Sequence, residues 1–331
     1  MTPEMNVATR IERGDLVFRS AELDDAAAVA DVLSEVYPEH PSDAEVLRHW
    51  WASMDPAWSV ERFVIEHSGT TVGIASHMHA PWEKLSKRYG RVGANVRPAL
   101  RTLDRLERAF ELVEERSRQD GTEVFTVGTY EDDQFLVDFL QSRGYREERR
   151  GKAWELDLAA NRERLAKMAD ASRRRMRQQG ITIGVFSDDP DPLKYRKTHE
   201  MNEEATQDVP TTVPHVPEPL DQFMKWLESP STHTDRLWIA RRGDDVVGMS
   251  VLAYPPQRGH VATDWTGTAR SVRGQGVARA LKLETVMQAI DLGVTKVQTD
   301  NDSQNAPILH LNEEMGYTQI PGWIQLLKTA T

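Results

Sequence analysis

The sequence predicts an α+β protein built from two tandem copies of one unit. Three observations carry this. The chain has 331 residues, enough for about two domains of ~150 residues each. The same order of strand-like and helix-like segments occurs twice. Both copies close on a matched phrase, FLQSRGY at 139–145 and LNEEMGY at 311–317, in which a glycine ends a helix and leads into a last strand.

The elements follow in parallel. Copy one opens on an apolar run at 62–66, a Ser68-Gly69 turn and a second run at 71–75. Copy two repeats this with 237–240, a Gly243-Asp244 turn and 246–251. Alternation flanking a glycine turn is the composition of a β-hairpin. A further strand follows at 90–96 and at 260–268, then a long segment of helical period at 100–119 and 277–292. Short β runs at 123–127 and 296–299 precede each closing helix. The expected division is one domain at 12–158, a charged helical linker at 159–179 and a second domain at 180–331. The linker's basic run, RRRMR at 173–177, reads as a solvated helix face rather than a nucleic-acid contact. Four prolines (Pro210, Pro214, Pro217, Pro219) bar 209–219 from helix or central strand, leaving a stiff loop over a pocket or a plain surface connection.

Composition narrows the function classes. With 41 Lys+Arg against 52 Asp+Glu the formal charge is −11, poorly suited to a phosphate backbone, and no nucleic-acid partner is expected. The absence of cysteine excludes disulfides, thiolate zinc sites and a cysteine nucleophile. Apolar runs such as 246–254 fall far short of the ~20 residues of a membrane helix, and the first fifteen residues lack the apolar stretch of a signal peptide. A cytoplasmic protein without membrane contact is expected.

The segment that carries chemistry runs from Thr268 to Ala278 (TARSVRGQGVA), at a strand-to-helix turn. Gly274 and Gly276 allow close backbone approach, and Ala278 keeps the third position small. The amides of Gly274, Gln275, Gly276, Val277 and Ala278 then point outward at a helix N-terminus, which suits a pyrophosphate. Each hydrogen bond to a charged group contributes roughly 1.5–3 kcal/mol, and the helix dipole about 0.3–1 kcal/mol more. A dinucleotide fingerprint fails because Arg279 occupies its third glycine position, and no Gly-Lys-Ser/Thr triplet exists for a P-loop.

Arg273-x-x-Gly276-x-Ala278 resembles the Arg/Gln-x-x-Gly-x-Gly/Ala signature of the GCN5-related N-acetyltransferases, and Asn305 with the 312–317 phrase resembles that family's second motif. The resemblance covers residues 180–331. It implies two units, each a mixed, mostly antiparallel sheet flanked by helices, and transfer of an acetyl group from acetyl-CoA to an amine, with no metal. Acetyl-CoA is expected between the strands ending at Thr268 and at Thr299. Backbone groups near Thr268 would orient the thioester, Arg273 would stand at the diphosphate loop, and Asn305 would hold the pantetheine arm. Copy one keeps only scaffold: Thr102, Asp104 and Leu106 stand where small residues belong. There Asp104 is expected to repel the diphosphate, two charges ~4 Å apart costing roughly 4 kcal/mol near a surface, and Leu106 to fill the ligand's space.

Within that resemblance the base is expected at Asp264, on the strand ahead of the loop; the alternative is a hydrogen-bonded residue at a strand bulge. Trp265, alternating with it, reads as core. Glu203, Glu204 and Asp208 stand near the proline-rich loop, as a cationic-amine site or as a solvated helix end, with Glu203 and Asp208 the expected substrate contacts. His199, His215 and His310 are further proton-transfer candidates. The family's general acid is a tyrosine four residues before the closing glycine. Here that position is Asn312, which can donate a hydrogen bond to the departing thiolate but not a proton. The readings left open are a small-molecule amine acetyltransferase, a CoA-binding sensor or scaffold, and a protein N-terminus or lysine acetyltransferase. A monomer or homodimer fits all three.

Overall fold

In the computed structural model, which describes residues 9–330, the first half of the chain forms β1 (Arg10–Arg13), β2 (Leu16–Ser20), α1 (Ala26–Val36), α2 (Ala44–Ser53), β3 (Ser59–His67), β4 (Thr70–His79), β5 (Tyr89–Val96), α3 (Leu103–Gln119), β6 (Val124–Tyr130), α4 (Gln134–Ser142) and β7 (Arg146–Asp157). Helix α5 (Leu158–Gln178) links it to the second half. There follow β8 (Ile181–Val185), α6 (Lys194–Thr206), α7 (Leu220–Leu227), β9 (Trp238–Arg242), β10 (Asp245–Ala253), β11 (Ala262–Thr268), α8 (Val277–Asp291), β12 (Lys296–Asp302), α9 (Ala306–Met315), β13 (Thr318–Ile320) and β14 (Trp323–Thr329). This is the mixed architecture the sequence predicts. All pairings are antiparallel except β5 with β6 and β11 with β12.

Local chemistry explains the elements. The β3–β4 hairpin turns through Ser68 (φ 50°) and Gly69 (φ 76°), two left-handed residues whose twist matches that of the strands. Helix α3 starts where the Thr102 hydroxyl accepts from the Arg105 amide, and it buries Leu106, Ala109, Phe110 and Val113 along one stripe. Asp157 caps α5 through the Ala160 amide, and α5 buries Leu165, Ala169, Ser172 and Met176, again at helical spacing.

The two halves exchange their last strands. Residues 151–157 of β7 pair with β12 of the second half, while β14 pairs along its length with β6 of the first. The start of β7 pairs with β14, so one strand order runs β1-β2-β3-β4-β5-β6-β14-β7-β12-β11-β10-β9-β8. The cores follow: Ile324 and Leu326 of β14 are buried with Phe18, Phe63, Phe110 and Phe125, whereas Trp154 and Leu156 of β7 are buried with Leu283, Val286 and Met315. A cut after residue 158 therefore does not divide the sheet. Burying Ile324 and Leu326 contributes about 3–6 kcal/mol, against a typical net stability of ~5–15 kcal/mol. Deleting residues 323–331 is expected to leave the first half without a stable core, seen as loss of the cooperative unfolding transition and aggregation on size-exclusion chromatography.

Among the described residues no helix is long and apolar enough to cross a membrane.

Candidate active site

Strands β11 and β12 run parallel but pair at one position only, Ala262 with Gln298, supported by the Gln298 amide on the Val261 carbonyl. Beyond it they diverge into a wedge. At the open end of β11, a 3-10 turn at Arg270–Val272 leads to Gly274 (φ 73°) and Gly276 (φ 91°), and α8 begins at Val277 with no side chain capping it. Among the described residues the amides of Gly274, Gly276, Val277 and Ala278 meet no acceptor; the Gln275 amide reaches the Val272 carbonyl at 3.3 Å. A Cβ placed on Gly274 would meet nothing within 4 Å. Bare amides, a helix dipole and open space together fit a diphosphate.

Side chains brace this loop from three directions. Asp208, just beyond α6, accepts from Arg270 (2.7 and 2.8 Å) and from Arg273 Nη1 (2.6 Å), and those guanidiniums hold its carboxyl far below the usual carboxylate range. Glu204 accepts from the Arg270 amide at 2.7 Å. Gln275 accepts from Arg242 of β9 at 2.5 Å and donates to the Ser271 carbonyl at 3.0 Å. The expectation that Asp208 contacts substrate is thus corrected: its oxygens are spent on the two loop arginines. The 173–177 run is a solvated face as read, with Arg174, Arg175 and Arg177 exposed, and two of its arginines also reach toward α8. Arg173 binds the buried Glu284 through two 2.7 Å bonds, and the Arg175 guanidinium carbon lies 3.4 Å from where a Cβ on Gly276 would stand. Arg175 is a loop cation that a basic run alone does not single out.

Asp264 sits near the closed end of the wedge. The register of β10 with β11 passes from Val251–Trp265 to Leu252–Thr263, leaving Asp264 as the extra residue of a bulge. A bulge re-aims its side chain, so the alternation that would send Trp265 the other way is broken. Asp264 meets Trp226 of α7, while Trp265 lies with Gly267 against Ala205 of the neighbouring α6. Asp264 is open to solvent yet walled by protein, and this burial raises its carboxyl above the usual range, opposed by the 2.9 Å hydrogen bond that Trp226 Nε1 donates to it. Replacing Trp226 with Phe removes the opposing bond. The acid limb of a kcat/KM profile that reports Asp264 is therefore expected to move to higher pH.

Asn312 is wholly buried, and both ends of its amide are occupied: Oδ1 accepts from Lys282 Nζ and Nδ2 donates to Asn301 Oδ1, each at 2.8 Å. One Nδ2–H of Asn312 is left over for the hydrogen bond expected toward a departing thiolate. Asn305 stands at the N-terminus of α9, its side chain making no hydrogen bond among the described residues. Glu203 lines a pocket of about 240 Å³ with Asp55 and Trp58 of the first half and with His215 and Glu218 of the proline-rich segment. Burial and the Glu203 charge raise the Glu218 carboxyl. The histidines have partners other than Asp264: His199 the Glu218 carbonyl, His215 the Glu203 carboxylate, and His310 lies beside Glu314 on the exposed face of α9. Among the described residues no cluster of three or more His, Cys, Asp or Glu has the arrangement of a metal site.

The corresponding wedge of the first half is filled. Strands β5 and β6 pair at Tyr89–Arg91 and then diverge, but the Tyr37 hydroxyl bridges them, donating to Asn95 Oδ1 at 2.9 Å and lying 3.4 Å from Thr129 Oγ1. Leu106, expected to fill the ligand's space, packs in the core instead, and Asp104 pairs with Arg108 one turn along α3. The side chain that spans this wedge is Tyr37, just past the end of α1.

Residues 198–317 match the Acetyltransferase (GNAT) family. No curated protein matches the chain in sequence. Among solved structures, a tandem GNAT protein from the clavulanic acid biosynthesis pathway aligns over 96% of this chain and 99% of its own, with TM-score 0.72 and 16% identity. A GCN5-related N-acetyltransferase from Sphaerobacter thermophilus aligns over 97% of both chains (TM-score 0.66, 20% identity). A glucosamine N-acetyltransferase region of a fungal multi-domain GH3 β-N-acetylglucosaminidase aligns over 98% of this chain and 39% of that one (TM-score 0.68, 15% identity). These likenesses show the fold, and the family match supports acetyl transfer from acetyl-CoA as its general chemistry. The signature loop at 273–278 lies within the matched segment, and the chain as a whole has the fold of a tandem GNAT protein, its two copies of the unit sharing one exchanged sheet.

Proposed function

We propose that the second half transfers an acetyl group from acetyl-CoA to a primary amine of a small molecule by direct attack, and that the first half binds no acetyl-CoA. The observation that carries this is the spacing of two features along β11. The uncapped amides of α8 lie beyond Thr268, and Asp264 lies four residues back, about 13 Å at ~3.3 Å per residue. An arm held at the loop and extended along the strand brings its thioester to the level of Asp264.

The residues then divide the work. The loop amides, with Arg175 and Arg273 beside them, bind the diphosphate, and Asn305 serves the pantetheine arm. An alkylamine of pKa about 10.4 costs ~4.6 kcal/mol to neutralise at pH 7. Asp264 accepts its proton as the nitrogen attacks, and a raised carboxyl is a better matched base than an unperturbed one. The Glu203 and Glu218 pocket, with the Trp58 ring at its wall, suits a cationic acceptor.

Asn312 supports a second reading, a CoA-binding protein without turnover, because no tyrosine stands at that position. Thiol release from acetyl-CoA with a panel of mono- and diamines separates the two. Turnover supports the transferase; micromolar CoA binding without turnover selects the second reading, and absence of CoA binding overturns both.

A further inference from the structure

Helix α8 is buried on almost every side, and its buried set includes two charged residues. Glu284 is answered by Arg173. Lys282 is answered by no carboxylate within ion-pair distance among the described residues, although only 1% of it is exposed. Its ammonium donates to Asn312 Oδ1 at 2.8 Å and lies 3.5 Å from Thr299 Oγ1 and 5.0 Å from the Tyr317 ring centroid. Two neutral oxygens and a ring face hold a group with three donors. Buried cations are ordinarily paired, so this one lacks an anion. Burial draws its pKa down to about 7, opposed by the charge of Asp300 on β12. The groups facing it from packed elements are Asp300 and Thr299 of β12, Asn312 of α9, and Tyr317 just after α9.

The position of this cation matters. Thr299 is the first β12 residue past Gln298, the last to pair with β11, so Lys282 lies under the vertex of the wedge. Asp264 stands on the opposite strand, two residues past Ala262, the β11 partner of Gln298. Attack there forms the amide C–N bond and breaks the C–S bond, whose electron pair leaves on sulfur. The amine proton passes to Asp264 and then to solvent. A thiolate remains at the vertex, where Asn312 offers no proton.

We propose that Lys282 is the cation that stabilises the departing CoA thiolate, with Thr299 and Asn312 positioning its ammonium. The proposal rests on the reading that acetyl-CoA occupies the second half. Lys282 contributes charge only while protonated, and a thiolate beside it holds that proton to higher pH than in the free protein, so kcat falls where the paired lysine deprotonates.

The test uses the full chain and CoA itself, read by ultraviolet absorbance of the bound thiolate against pH. In the wild type the bound thiol is expected to ionise at least one pH unit below free CoA. In Lys282→Met that lowering is lost, while CoA affinity stays within about three-fold. With an accepted amine, kcat of Lys282→Met is expected to drop about 10²-fold, the scale of losing one preorganised charge-stabilising donor, and to lose its alkaline fall. A purely structural lysine would leave the thiol titration unchanged. A wild-type bound thiol titrating like free CoA overturns the proposal even if the variant fails to fold, as does equal titration in both proteins. Failure of wild-type protein to bind CoA at all instead overturns the site reading on which it stands.

Discussion

Replacing Asp264 with Asn is expected to lower kcat by about 10²–10⁴-fold while leaving acetyl-CoA affinity unchanged. The amide keeps the size of the carboxylate and its hydrogen bond from Trp226, so the bulge that aims it should persist. What it loses is the capacity to accept a proton as the amine nitrogen attacks. The pH dependence is a second signature. Crowding by protein raises the Asp264 carboxyl, and its ionised form is the proposed base, so wild-type kcat/KM is expected to fall as pH drops through that raised pKa. The variant lacks this limb. Initial rates across pH, with calorimetric titration of acetyl-CoA, check both statements. A variant retaining wild-type rates would remove Asp264 from the mechanism.

Replacing Gly276 with Val is expected to weaken acetyl-CoA binding by at least 10²-fold. Gly276 has φ 91°, a region costing an L-residue about 1–2 kcal/mol. The added Cβ would stand 3.4 Å from the Arg175 guanidinium carbon, and two further methyl groups enlarge the side chain inside the loop whose amides are to meet the diphosphate. Losing two charge-assisted hydrogen bonds of roughly 1.5–3 kcal/mol each corresponds to about 10²–10⁴-fold in affinity. The backbone strain also lowers the melting temperature by a few degrees, so thermal melts separate the folding effect from the binding effect. An affinity within three-fold of wild type in a folded variant would detach the loop from cofactor binding.

What the sequence made legible was local. The loop from Arg273 to Ala278 is six consecutive residues, and glycine spacing at a strand-to-helix turn dictates much of its geometry by itself. The hairpins and the closing helices were legible for the same reason. The strand exchange was not: alternation marks β7 and β14 as strands, but nothing in either one names the edge it joins. Tyr37 lies 58 residues from the Asn95 it bridges, and Trp226 38 residues from Asp264. Asp208 misled because nearness in sequence to the proline-rich segment suggested the acceptor, whereas the end of α6 turns it toward Arg270 and Arg273. Leu106 and Asp104 misled by being judged against the family's loop; the helix they begin is capped by Thr102 and follows its own amphipathic register. Lys282 carried no signal, since a lysine in a helix is ordinarily at the surface.

The most direct measurement is isothermal titration of the wild-type chain with acetyl-CoA. One bound molecule per chain at micromolar affinity, weakened at least 10²-fold by Gly276→Val, is expected. Two sites per chain, or a single site untouched by that substitution, would contradict it.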